Sequence, residues 1–323
     1  MSVRSRRGKR GPQDKNGAPE KSEPVLQKGH SHEKDLQRVQ EVTTKRILLR
    51  VTFIVLTLGI VALLSGRGDQ SGLTTFVKQD ETVQKRILDV PCSKDYKKYE
   101  HFEGCTPRRC GRGVMDGLVT QNEAAQLLRI AKRGLALGGS NGGASILDLH
   151  SGALSKGDSF INLYQMMKSN KDRSVFSEDD FSLYRRVKNR IRSAIAEEFG
   201  IQQDRLHLTH PTFFSRMTTR AAKTVHDEYW HPHIDKETYG SFDYTSLLYL
   251  TDYSRDFTGG RFVFVDKEAN STVEPRTGRV SFFTSGSENL HFVEKVASGT
   301  RFAITVSFSC DPKHAIADPH LKS

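Results

Sequence analysis

The spacing of apolar residues changes near Gln203, from the period of helices to the period of strands. Before that point, the segment 120–123 (Thr-Gln-Asn-Glu) has the form of a capping box, and the apolar stripe after it predicts a helix that ends near Gly134. A second helix is predicted between Ser177 and Gly200, because large apolar residues recur there every three or four positions. The chain therefore has two predicted helices ahead of its strands.

Short runs rich in Phe, Val, Tyr and Thr follow Gln203, and clusters of Pro, Gly, Asp and Ser separate them. The predicted strands are 206–208, 212–215, 224–229, 244–253, 261–265, 279–283, 290–293 and 301–308. We therefore predict an α+β fold that is mainly β, namely a double-stranded β-helix (jelly roll) backed by N-terminal helices. The mouth of such a barrel is a natural place for a small ligand.

Residues 45–66 contain a continuous apolar run, with about 15 uncharged residues after Arg50 and about 19 if the Arg50 side chain reaches the membrane surface. A buried core helix and an interfacial helix would each need a polar face, which this run lacks. A cleavable signal peptide would need a small-residue cleavage site, and none follows Ser65 clearly. The sequence therefore predicts a single transmembrane helix that serves as an uncleaved signal anchor.

Charge around the predicted anchor indicates its orientation. The net charge is +11, and more than half of the excess lies in residues 1–50. Residues 1–44 have few large apolar groups, which predicts a disordered tail. Because the basic residues precede the anchor, we expect a type II membrane protein with a cytosolic N-terminus and a lumenal domain. The short span favours the endoplasmic reticulum or Golgi over the plasma membrane. Since the positive charge is local, nucleic acid is not an expected partner.

Two features of the chain after residue 66 agree with a lumenal location. All four cysteines (Cys92, Cys105, Cys110 and Cys310) follow the anchor, and disulfide bonds persist in oxidising compartments. Asn270 begins an Asn-Ser-Thr glycosylation acceptor. The spacing of the cysteines is poor for zinc, and their pairing cannot be deduced from the sequence. The expected divisions are a stem and Cys-containing loop (67–114), a helical support region (115–200), the barrel (201–312) and a tail (313–323).

The residues that carry chemistry are His233, Asp235, His291 and Arg301. Two imidazoles and one carboxylate on one face are the ligand set of mononuclear Fe(II) centres that activate oxygen. On a strand, residues i and i+2 point to the same side, so His233 and Asp235 can share one ion with His291 from a distant strand. Arg301 could then bind the far carboxylate of a 2-oxo acid in bidentate fashion, with a hydroxyl from Tyr249.

Neighbouring residues offer competing interpretations. His226 and His231 are rival ligands in the same stretch, and we interpret them as rim or core histidines. Tyr229 and Trp230 could line a peptide groove or pack under the barrel rim. For Tyr249, core packing is the alternative to the favoured role at the 2-oxo acid.

The ordered set of His233, Asp235, His291 and Arg301 resembles the Fe(II)/2-oxoglutarate-dependent dioxygenases of the prolyl 4-hydroxylase and lysyl hydroxylase group, over roughly residues 115–310. The resemblance implies Fe(II), 2-oxoglutarate as co-substrate, O2 and ascorbate. It also implies hydroxylation of a protein or peptide, with a side chain of a secretory-pathway protein as the expected target. The basic residue does not identify the substrate, because collagen-type prolyl enzymes have Lys there and lysyl hydroxylases have Arg.

Two other functions remain open from the sequence. The barrel could be catalytically silent and act as a membrane-tethered binding or scaffold module that keeps its metal ligands. It could also be a cupin-like lectin or hydrolase that uses zinc. The partner proteins and the oligomeric state are not predicted.

Overall fold

A computed structural model describes residue 45 and residues 48–57, 73–168 and 175–320. The chain divides into two compact units, 1–68 and 69–323. In the first unit, residues 48–57 are helical and their apolar side chains are exposed, Phe53 by 68%. No helix within the described ranges has the length and apolar character needed to cross a membrane. Most of the rest of the predicted anchor 45–66, and the predicted disordered tail 1–44, lie outside the described residues.

Four helices are present in the described part of the second unit: α1 (Gln121–Leu135), α2 (Leu163–Lys168), α3 (Glu178–Phe199) and α4 (Asp235–Tyr239). The predicted capping box at Thr120 is confirmed, and a second capping box is present at Ser177, where the second predicted helix begins. The Thr120 side chain accepts a hydrogen bond from the backbone N–H of Glu123, and Ser177 does the same for Asp180, each at 3.2 Å. Helix α3 ends at Gly200, whose φ of 64° is a left-handed conformation that glycine adopts without steric cost.

Seventeen strands lie within the described ranges of this unit, and they form three sheets. They are β1 Leu73–Val77, β2 Arg86–Val90, β3 Cys110–Met115, β4 Gly139–Ser140, β5 Ala144–Leu147, β6 Ala153–Gly157, β7 Ser159–Asn162, β8 His207–Leu208, β9 Phe213–Met217, β10 Tyr244–Tyr249, β11 Phe257–Gly259, β12 Phe262–Phe264, β13 Asn270–Val273, β14 Val280–Thr284, β15 His291–Val293, β16 Val296–Gly299 and β17 Arg301–Ser309.

The large sheet has the order β2-β3-β14-β10-β17-β9-β5-β6-β4, with β7 paired to β6 and β8 paired to β17. The small sheet has the order β1-β13-β12-β15, and β11 pairs with β16. Most neighbouring strands are antiparallel, although β1 runs parallel to β13 and β4 parallel to β6. The result is a mainly β, jelly-roll-like fold with helices, as the sequence predicts.

The central strand β10 separates two apolar clusters, because its successive side chains point to opposite faces. Leu248 belongs to a core that also contains Leu127 of α1 and Ile195 of α3. Leu247 belongs to a second core that includes Phe262 of β12, in the small sheet. The helices therefore cover one face of the large sheet, and the small sheet packs on the other.

Two segments differ from the sequence prediction. Residues Val225–Trp230, predicted to be part of a strand, form a 3₁₀ helix. Its start is held by Asp227, whose carboxylate accepts hydrogen bonds from the backbone N–H groups of Lys223 and Thr224. The region 115–200, predicted to be helical, also contains the short strands β4 to β7. These strands extend the large sheet beyond β9.

Part of the glycine-rich segment 138–143 forms strand β4. Its glycines permit close approaches: a Cβ atom on Gly138 would lie 2.4 Å from the carbonyl oxygen of Ser155. A Cβ atom on Gly143 would lie 2.2 Å from the ring of Trp230. The segment is therefore a closely packed part of the sheet.

Disulfide bonds pair all four cysteines, as Cys92–Cys110 and Cys105–Cys310. The first closes a short loop of the chain, with a sequence separation of 18 residues. The second joins the loop before β3 to the residue after β17, with a separation of 205 residues. Closing so long a loop restricts the unfolded chain and thereby favours the folded state.

Candidate metal centre

Paired backbone hydrogen bonds bring the two candidate histidine ligands together. The N–H of His233 donates to the carbonyl oxygen of His291 at 2.9 Å, and the N–H of His291 donates back to His233 at 3.1 Å. The two residues thus form an antiparallel bridge. Because Ile234 has an extended backbone, the following Asp235 returns to the side of His233. The prediction that Asp235 lies within a strand is wrong, because Asp235 is the first residue of helix α4.

The three side chains form a cluster with the geometry of a metal site. One nitrogen from each imidazole and one Asp235 oxygen lie within 4.8 Å of one another. The Nε2 atoms of His233 and His291 are 3.6 and 3.7 Å from Asp235 Oδ1. Across the described ranges, no other group of three His, Cys, Asp or Glu side chains meets this condition.

Hydrogen bonds orient both imidazoles for ligation. His233 Nδ1 lies 2.9 Å from the carbonyl oxygen of His231, and His291 Nδ1 lies 2.8 Å from that of Asn289. Because a carbonyl only accepts, each Nδ1 carries the proton and each Nε2 keeps its lone pair for a metal. Burial lowers the pKa of His291 to about 4, which favours its neutral, ligating form.

Asp235 is oriented by hydroxyl groups behind it. Thr245 Oγ1 donates to Asp235 Oδ2 at 2.6 Å and lies 2.9 Å from Ser285 Oγ. This leaves Oδ1 directed at the two imidazoles. Neither hydroxyl residue was identified from the sequence, although Thr245 lies on a predicted strand.

Arg301 is fully buried in the same cavity as the three side chains. Its Nη1 approaches the Met217 sulfur at 3.7 Å, while its Nε and Nη2 have no hydrogen-bond partner within the described residues. Burial lowers the pKa of Arg301 to about 10, so the guanidinium remains a cation at neutral pH. A buried cation with unpaired donors is costly, and a carboxylate bound in the cavity would satisfy both its charge and its donors.

The cavity lies between the two sheets and is mainly apolar, which suits a small ligand held by a few polar groups. Besides His233, Asp235, His291 and Arg301, the residues that line it are Phe213, Ser215, Met217, Tyr229, Tyr239, Phe242, Thr245, Leu247, Phe262, Val293 and Thr305. Asp235 is the only carboxylate among these residues.

Tyr249 lies near Arg301, but its hydroxyl is directed elsewhere. It shares a face of β10 with Thr245 and Leu247, yet it is absent from the described lining. The guanidinium carbon of Arg301 is 5.5 Å from the centre of the Tyr249 ring. The Tyr249 hydroxyl is 3.0 Å from Ser281 Oγ. The structure therefore places the ring, and not the hydroxyl, beside the guanidinium.

The rival histidines lie apart from the cluster. His226 is buried beside Ser155, 3.3 Å from its hydroxyl, and packs on Phe160. His231 is exposed and contributes its backbone carbonyl to His233. Tyr229 lines the cavity, whereas Trp230 is buried against the glycine-rich segment 138–143. Asn270, the predicted glycosylation site, is half-buried at the start of β13.

Comparison with known proteins agrees with this geometry. Residues 216–309 match the sequence profile of the 2OG-Fe(II) oxygenase superfamily. Two proteins named 2-oxoglutarate and iron-dependent oxygenase domain-containing protein 3 are similar over most of the chain. The protein from Xenopus tropicalis is 62% identical over 251 residues, which are 78% of this chain and 79% of that protein. The protein from Homo sapiens is 53% identical over 307 residues, which are 94% of this chain and 95% of that protein.

A more distant relative is prolyl 3-hydroxylase 1 from Homo sapiens, which is 27% identical over 230 residues, covering 64% of this chain and 29% of that protein. The matched profile contains His233, Asp235, His291 and Arg301, and the close relatives extend the similarity over most of the chain. The family match and the close relatives show, in agreement with the cavity, that the chain belongs to the 2OG-Fe(II) oxygenase superfamily. It is a 2-oxoglutarate-dependent dioxygenase that uses Fe(II).

Proposed function

We propose that this protein is a membrane-anchored, lumenal dioxygenase that hydroxylates an uncharged side chain of a secretory-pathway protein. The observation that carries the proposal is the cavity itself, where three ligand atoms within 4.8 Å of one another share one space with a buried guanidinium whose donors are unpaired. A metal and an anionic co-substrate would satisfy both groups at once.

His233, Asp235 and His291 would hold Fe(II) in this proposal, because two imidazoles and one carboxylate are a ligand set of Fe(II) oxygenases. The chemistry supplied there, with 2-oxoglutarate and O2, is decarboxylation to succinate and CO2 coupled to oxygen insertion into an unreactive C–H bond. The residues of the chain keep each imidazole in its ligating tautomer through the carbonyl groups of His231 and Asn289. Ascorbate is expected to sustain activity.

Arg301 binds the distal carboxylate of 2-oxoglutarate through the fork of its guanidinium. Its burial removes water that would otherwise compete for the carboxylate, which strengthens the attraction between the two charges. Tyr249 supports this role by packing its ring beside the guanidinium, while its hydroxyl lies 3.0 Å from Ser281 Oγ.

The cavity lining favours an uncharged target side chain. Among the described residues that line the cavity, Asp235 is the only carboxylate, and its role is to hold the metal. A lysine or arginine side chain would therefore enter without a counter-charge, at a cost in desolvation. The aromatic residues Phe213, Tyr229 and Tyr239 instead offer apolar contacts to a substrate side chain.

The membrane anchor and the lumenal location are supported by features outside the cavity. Helical residues 48–57 expose the large apolar side chains of Leu49, Phe53 and Val55. Such side chains are unfavourable in water and are suited to lipid. The two disulfide bonds are typical of an oxidising compartment.

Replacing His233 with alanine tests the metal site. We expect His233→Ala to reduce succinate formation from 2-oxoglutarate by at least about 100-fold, because it removes a ligand of Fe(II). The matched control is His231→Ala, which removes an exposed imidazole and leaves the backbone carbonyl in place. The assay measures succinate with Fe(II), 2-oxoglutarate and ascorbate. Equal activity of wild type and His233→Ala, or none in the wild type, would contradict the proposed catalysis and favour a silent scaffold.

Replacing Arg301 with lysine tests the co-substrate site separately. Lysine keeps the charge but loses the planar fork, so the apparent KM for 2-oxoglutarate should rise by roughly 10- to 100-fold. Metal affinity, measured by equilibrium titration, should remain unchanged. Arg261→Lys is the control, because Arg261 forms an ion pair with Glu294 away from the cavity. An unchanged KM in Arg301→Lys would contradict bidentate binding of the carboxylate by the guanidinium.

Glycosylation at Asn270 tests the location of the domain. When the protein is made in secretory cells, treatment with an N-glycosidase should lower the apparent mass of wild type on a gel. The apparent mass of Asn270→Gln should not change. Membrane extraction at high pH should leave both proteins in the pellet, because each keeps the apolar segment 45–66. An unglycosylated wild type together with release from the membrane would contradict the proposed anchor and orientation.

A further inference from the structure

Residues 284–289, the support turn, connect β14 to the ligand His291. Asn289 lies at the end of this turn, and its carbonyl oxygen accepts the Nδ1–H of His291. The Asn289 side chain is itself fixed, since its amide nitrogen donates to the Thr284 carbonyl oxygen at 2.9 Å and to that of Gly111 at 3.3 Å. The position of the His291 ring therefore depends on the support turn.

The same turn also reaches the other side of the metal centre. Ser285 Oγ lies 2.9 Å from the Thr245 hydroxyl that donates to Asp235. The carbonyl oxygen of Ser285 accepts the N–H of Lys236, the residue after Asp235, at 2.9 Å. A displacement of the support turn would consequently move the groups that orient both Asp235 and His291.

A second segment, 93–98, holds the support turn from outside. Asp95 Oδ2 accepts the N–H of Ser287 at 2.7 Å. The Tyr96 hydroxyl accepts the N–H of Gly286 at 2.8 Å and donates to Glu288 Oε1 at 2.9 Å. Asp95 and Tyr96 are buried, 6% and 7% exposed, so water does not compete strongly for these hydrogen bonds.

The Cys92–Cys110 disulfide closes the loop that contains this second segment. Cys92 immediately precedes Ser93, whose N–H donates to Glu288 Oε2 at 3.2 Å. Cys110 immediately precedes Gly111, which accepts from Asn289. Closing the loop limits the positions open to the segment before it contacts the turn.

We propose that Asp95 and Tyr96 are positioning residues of the metal centre and that the Cys92–Cys110 disulfide keeps them against the support turn. This inference rests on the proposed role of His233, Asp235 and His291 as metal ligands. Groups that orient ligands typically alter metal affinity by 10- to 100-fold when they are removed. Asp95 and Tyr96 contact the support turn and not the ligands themselves, so a smaller effect of roughly 5- to 10-fold is expected.

The test measures Co(II) affinity of the full-length protein by titration of its visible absorption, which reports the ligand geometry as well as occupancy. Tyr96→Phe removes the hydroxyl and keeps the ring, and a Cys92→Ala/Cys110→Ala double variant removes the disulfide. Tyr244→Phe is the matched control: the Tyr244 hydroxyl is also buried, and it donates to the Cys105 carbonyl oxygen at 2.9 Å, on the helix side of the large sheet.

We expect the Kd for Co(II) to rise roughly 5- to 10-fold in Tyr96→Phe and in the double cysteine variant, with an altered absorption band. Tyr244→Phe should lower thermal stability and leave the Kd within about twofold of wild type. If Tyr96→Phe and the cysteine variant lose stability but bind Co(II) as wild type does, the segment is merely structural and the inference fails. If wild type itself binds no Co(II), the proposed metal site fails, and the inference fails with it.

Discussion

The backbone bridge between His233 and His291 is the constraint on which the site depends. These residues are distant in the sequence, and two hydrogen bonds of 2.9 and 3.1 Å place them opposite each other. The bridge connects the short segment before α4 to the first residue of β15, in the small sheet. Because the bridge uses main-chain atoms, it fixes the spacing of the two backbones, and the side-chain rotamers then set where the imidazoles lie.

Hydrogen bonds from the side chains then determine how the ligands face. Each imidazole is held through its Nδ1 by a carbonyl two residues earlier, and Asp235 is held by Thr245. These contacts direct both Nε2 atoms toward Asp235 Oδ1, at 3.6 and 3.7 Å. The support turn, with Asp95 and Tyr96 behind it, extends this organisation to the disulfide-closed loop.

The buried Arg301 gives the cavity its chemical asymmetry. Its lining combines two imidazoles and a carboxylate with a cation whose Nε and Nη2 have no partner among the described residues. Burial of such a cation without a partner lowers the free energy of unfolding of the protein. Binding of an anionic ligand offsets that cost. A dicarboxylic 2-oxo acid can satisfy both groups. Its 2-oxo acid group can chelate a metal, and its far carboxylate can bind the guanidinium. The chemistry of the cavity lining thus agrees with the co-substrate of the superfamily.

Local patterns in the sequence predicted the features that depend on neighbouring residues. The capping box at Thr120, the helix that begins after Ser177 and the strand that begins at Arg301 are confirmed, because each has a strong local signal. The 3₁₀ helix Val225–Trp230 was not predicted, because side-chain hydrogen bonds of Asp227 organise it and these produce no periodic pattern of apolar residues. The contacts of Tyr96 with the support turn and the cysteine pairing link residues far apart in the chain, so they required the structure.

The central claim is that His233, Asp235, His291 and Arg301 together hold Fe(II) and 2-oxoglutarate. The most direct test is an anaerobic titration of 2-oxoglutarate into the Fe(II)-loaded protein, followed by the visible charge-transfer absorption of a 2-oxo acid bound to Fe(II). Wild type should develop this absorption and saturate at one equivalent, whereas Asp235→Ala should develop none. No absorption in wild type, or an undiminished signal in Asp235→Ala, would contradict the account.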